Sequence, residues 1–80
     1  MANTSFASLV KLIAAYVGEA KASGLVERRL GAASVTADQF TKAHLSASMQ
    51  AAIVSAATLY LLDQGKEAQL KSQLAMFARQ

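Results

Sequence analysis

Eighty residues, a net charge of +3 and a hydrophobic share of 54% describe one small globular domain and exclude a disordered or fibrous chain. There is no cysteine and a single histidine, His44, which rules out a disulfide scaffold and the usual zinc ligand sets. A core of this size seldom yields more than about 3–5 kcal/mol, so association with another chain is the remaining way to add stability.

Proline is absent and eighteen residues are alanine. Good helix formers dominate, and the composition therefore points to an all-α protein. The expected architecture is a small helical bundle or hairpin in a single domain, 1–80, with one long central helix and a short C-terminal helix, completed by oligomerisation.

The first helix is predicted over 5–23, with Thr4 or Ser5 as its N-cap and Gly24 as the left-handed residue that stops it. Phe6, Leu9, Val10, Ile13, Val17 and Ala20 recur at intervals of three and four and make its apolar stripe. The small residues Ala14, Gly18 and Ala22 form a second strip suited to a close neighbour. Residues 24–35 read as a connector, in which Leu25, Val26 and Leu30 supply a turn of helix and Gly31 breaks the pattern.

The sharpest boundary follows. Thr36-Ala37-Asp38-Gln39 is a capping box, with Val35 and Phe40 at the two staple positions around it. A long helix is predicted from here to about residue 63, with Gly65 as its stop. Its stretch from Leu45 to Leu62 holds eighteen residues without one formal charge. Phe40, His44, Ala47, Ala51, Val54, Thr58 and Leu61 follow a four-three spacing and are the candidate interface seam. Leu45, Met49, Ala52, Ile53, Ala56 and Tyr60 form a second strip on nearly the opposite side. The first seam runs about 33 Å, more than the flanking helices cover at about 1.5 Å per residue, so a second copy or another protein is the expected cover. The last helix is predicted over 66–79, with Leu70, Leu74 and Phe77 on its stripe.

Chemistry is sparse. The hydroxyls nearest His44 are Thr41 and Ser48 and the nearest carboxylate, Asp38, is six residues back, so no catalytic triad is assembled, and a seam histidine bonded to a partner is the reading preferred over a general base or a pH switch. The carboxylates Glu19, Glu27, Asp38, Asp63 and Glu67 are dispersed among basic residues, as on a solvated surface. The four glycines stand apart rather than in a phosphate-cradling loop. No enzyme activity, cofactor, metal or small-molecule substrate is expected.

Two other partner classes are weighed. Arg28 and Arg29 are the candidate basic contact for nucleic acid. Ser23 to Arg29, reading Ser-Gly-Leu-Val-Glu-Arg-Arg, resembles the stretch that leads into the wing of MarR-type winged-helix regulators. The resemblance covers seven residues, and the capped segment that follows stands where such a protein places its β-wing. A pilin-like or holin-like membrane insertion would use the uncharged run, which is just long enough to span; its serines, Thr58 and Gln50 would each need an internal partner in lipid. Ala20-Lys21-Ala22 has the form of a signal-cleavage site, but no basic residue precedes the apolar stretch and Lys11 interrupts it. The expectations are thus a cytoplasmic setting and a non-enzymatic subunit that self-associates through its Ala-rich long helix. The alternative is a small adaptor, chaperone or inhibitor using the same seam.

Overall fold

In the computed structural model, which describes residues 4–80, the N-terminal stripe forms α1 (Thr4–Val17), with Phe6, Leu9, Ile13, Tyr16 and Val17 buried. The helix does not reach Gly24. Gly18 breaks it, at φ +91° and ψ 149°, a combination open to essentially no residue but glycine. The Gly18 amide still donates to Ala14 O at 2.9 Å, while its own carbonyl accepts from Ala22 N at 3.1 Å, so one residue closes α1 and opens the next helix. The phase shift at this joint turns Ala20 to solvent, while Tyr16, just before it, is buried on α1.

The segment expected as a connector is instead α2 (Glu19–Ala32), which buries Ala22, Leu25, Val26 and Leu30. Their three-four spacing is a helical stripe. Glu19 in its first turn and Arg29 in its last complement the helix dipole. Gly24 and Gly31 lie inside the helix, where an added Cβ meets nothing within 4 Å, so neither acts as a stop. The helix ends in a Schellman motif: Ser34 at φ 62° takes the left-handed position. Val35 N donates to Leu30 O and Ser34 N to Gly31 O, both at 2.9 Å.

The largest departure from expectation is the predicted long helix over 36–63, which does not form. The Thr36 capping box is made, with Gln39 N donating to Thr36 Oγ1 at 3.2 Å and Thr36 N to Gln39 Oε1 at 3.4 Å. It caps only a single turn. Thr41 then opens a 3₁₀ turn (Lys42–His44), its amide donating to His44 Nδ1 at 3.0 Å, and Ser46 caps α3 (Ala47–Thr58) by accepting from Met49 N at 3.2 Å. Thr36, Thr41 and Ser46 are five residues apart, and each starts a new turn. The physical reason is burial. Phe40 and Leu45 both enter the core, at 0% and 5% exposure, and residues five apart on one continuous helix would point about 140° away from each other.

A second 3₁₀ turn (Gln64–Lys66), with Asp63 Oδ1 accepting from Gly65 N at 2.9 Å, leads into α4 (Glu67–Arg79). Gly65 thus sits in the entry to α4 rather than at the end of a long helix. As expected, α4 buries Leu70, Leu74 and Phe77. The described residues are 77% helical, with four α-helices and no strand, an all-α bundle. All four helices, with Phe40, Leu45 and Leu61 between them, contribute to one core. Its Cα radius of gyration, 11.3 Å, is close to the roughly 11.6 Å of a self-contained domain of this length.

The two glycine roles separate experimentally. Gly18→Ala should destabilise the protein by about 1–3 kcal/mol through its φ alone, since no neighbour obstructs a Cβ there. Gly24→Ala should stabilise it by up to about 1 kcal/mol. Urea denaturation of both variants checks the opposite signs, and equal effects would contradict the Gly18 joint.

Candidate interaction surface

The predicted seam divides once the helix is broken. Phe40, Val54 and Leu61 are buried among the chain's own helices, so they are core residues, of which only Val54 still reaches the floor of an outer groove. Phe40 packs edge-on against Phe6, with ring centroids 6.5 Å apart at 75°. His44 and Thr58 are half-buried, whereas Ala47 and Ala51 are exposed. Of the second predicted strip, Leu45 and Ile53 are buried, Met49, Ala52 and Ala56 are half-buried and Tyr60 is exposed. The helix therefore has one inner face rather than two opposed ones.

What remains outside is a groove between α3 and α4 of about 530 Å³, lined by Ala47, Gln50, Ala51, Val54, Ser55, Thr58, Glu67 and Lys71. Its α3 wall carries no charge. Ala47, Ala51 and Ser55 stand four residues apart, and Leu59, still in helical conformation at φ −68° and ψ −21°, continues the same ridge. Leu59 is 78% exposed and Leu62, three residues on, 76%. Sequence reasoning missed this pair. The signal was the run Leu59-Tyr60-Leu61-Leu62, which puts more large apolar side chains together than one helix face can turn inward.

The turn that presents the leucines is held firmly. Tyr60 N donates to Ala57 O at 2.9 Å, Gln64 Nε2 to Thr58 O at 3.2 Å and Thr58 Oγ1 to Ser55 O at 2.7 Å. Leu62 N donates to Tyr16 O at 3.0 Å, which ties the turn to the end of α1. The Lys21 ammonium lies 4.8 Å from the centre of the Tyr60 ring, a cation–π contact that fixes the same corner from α2.

The other candidate residues do not join this surface. Arg28 is exposed and Arg29 half-buried on α2, and the whole of Ser23 to Arg29 is helical, with no strand among the described residues to act as a wing. Among those residues no group of three or more His, Asp or Glu is placed to hold a metal. No helix among them is long and apolar enough to cross a membrane. Comparison of the chain with protein-family models, curated proteins and solved structures gives no match in any of the three.

His44 has a structural task. Its Nδ1 accepts from the Thr41 amide, so the ring proton of the neutral form sits on Nε2, and its ring lies 6.1 Å from that of Phe40. His44→Ala should cost about 0.5–2 kcal/mol, the usual range for a lost helix-start cap, while His44→Gln, the side chain a capping box normally uses, should recover much of it. Thermal melts of the two variants test this; equal losses would show that ring packing rather than the acceptor matters.

Proposed function

We propose that this protein is a non-enzymatic helical subunit that works by protein–protein contact, associating with further copies of itself through the outer face of α3. The carrying observation is the pairing of a charge-free ridge (Ala47, Ala51, Ser55) with two leucines, Leu59 and Leu62, each more than three-quarters exposed. Large apolar side chains left in water next to an uncharged ridge are the kind of surface that marks a contact site. The rigid backbone of the turn adds support, because a surface held in place before binding loses less entropy on binding. The absence of cysteine accords with a reducing, cytoplasmic setting.

A second reading has an observation of its own. Phe40, Val54 and Leu61 close the core within one chain, which favours a small adaptor or inhibitor that is monomeric alone and covers another protein with the same ridge.

Light scattering after size exclusion separates the two. Self-association gives a mass that is a multiple of the 8.4 kDa protomer and falls to one protomer in Ala51→Glu. Because Ala51 is exposed, that change should alter stability by no more than about 0.5 kcal/mol. A wild-type mass of one protomer at all concentrations leaves the adaptor reading; an Ala51→Glu mass equal to wild type removes α3 as the interface.

A further inference from the structure

We infer that the α3–α4 groove receives a second copy of this chain in a closed, two-fold antiparallel pair, with Leu59 of each copy seated against Ala51 of the other. This rests on the self-association reading and specifies its geometry.

The argument begins from the i+4 ridge. Ala51 and Leu59 lie four residues either side of Ser55, and the ridge is small on one side of that point and large on the other. A two-fold axis at Ser55 reverses the order, so each exposed Leu59 meets a small residue beside an open groove, and does so twice. A parallel pairing would set Leu59 against Leu59 and leave the small end of the groove unfilled.

Charge follows the same symmetry. On the α4 wall of the groove stand Glu67 and Lys71, one turn apart. The short connection after α3 brings α4 back along it, so Thr58 lies toward the Glu67 end. An axis perpendicular to α3 in the contact plane leaves both copies of α4 on one side and runs them in opposite directions. Glu67 of each copy then approaches Lys71 of the other, and acid meets base at both places. The surface is thus its own complement in size and in charge, which nothing in an unrelated partner would require.

Single-cysteine variants test the register, since the chain has no cysteine of its own and Ala51, Ser55 and Leu59 are all exposed. Helices packed about 8–10 Å apart, each with a Cα radius of about 2.3 Å, bring facing Cα atoms within disulfide range. Under mild oxidation Ser55→Cys should form a covalent dimer. Ala51→Cys alone and Leu59→Cys alone should not, because like positions then lie about 12 Å apart along the axis, yet a mixture of the two should yield the mixed dimer. Lys71→Glu, which sets acid against acid, should raise the dimer dissociation constant roughly tenfold.

If the wild type is a dimer by scattering but Ser55→Cys stays uncross-linked, or Ala51→Cys cross-links to itself, the register is wrong while self-association stands. An unchanged dissociation constant in Lys71→Glu likewise overturns the paired charges. A wild type that remains one protomer removes both the pair and the reading beneath it.

Discussion

The burial of Phe40 and Leu45 in one core is the constraint on which the rest of this molecule depends. Each is large and apolar, and leaving either in water forfeits about 1.5–3 kcal/mol. They are five residues apart, so a continuous helix would bury one and expose the other. The chain resolves this with Thr36, Thr41 and Ser46, whose hydroxyls and backbones begin fresh turns and satisfy amides that a longer helix would have paired internally. Once the segment is folded in this way, Phe40 reaches Phe6 on α1, Lys42 lies 4.8 Å from the Phe77 ring centre on α4, and α3 is left as a twelve-residue helix with a single inner face.

This division explains which parts of the fold were legible in the sequence. α4 was readable because its stripe of Leu70, Leu74 and Phe77 has one period and its flanks are charged. The core face of α1 was readable for the same reason through Phe6, Leu9, Ile13 and Val17. The joint at Gly18 was not, since Gly18 and Gly24 are equally plausible stops locally, and only the packing of Leu25, Val26 and Leu30 decides that the helix resumes. The break between 36 and 46 was hidden because Ala37, Lys42, Ala43 and Leu45 are tolerant of helix. Three hydroxyl residues at five-residue intervals were the signal against it. Local propensity and tertiary burial disagree there, and burial is the larger quantity.

The candidate surface was legible only in part. An uncharged stretch that must touch something could be read directly from Leu45 to Leu62. Which of its residues face outward could not, because that depends on the helix phase, and the phase was set by the unrecognised break. Phe40, Val54 and Leu61 moved from seam to core, Ala47 and Ala51 stayed outside, and Leu59 and Leu62, assigned to neither predicted strip, became the most exposed large apolar side chains among the described residues.

The size of that surface limits how tightly it can hold a second copy. Its large apolar content is chiefly two leucines, Leu59 and Leu62, little to set against the translational and rotational freedom that association costs. The core shared by all four helices is closed within one chain, so the proposed pairing is not what the protomer needs in order to fold. On the proposed reading, pairing through this ridge is therefore exchangeable: a surface that fitted the leucines better than a second copy would displace it.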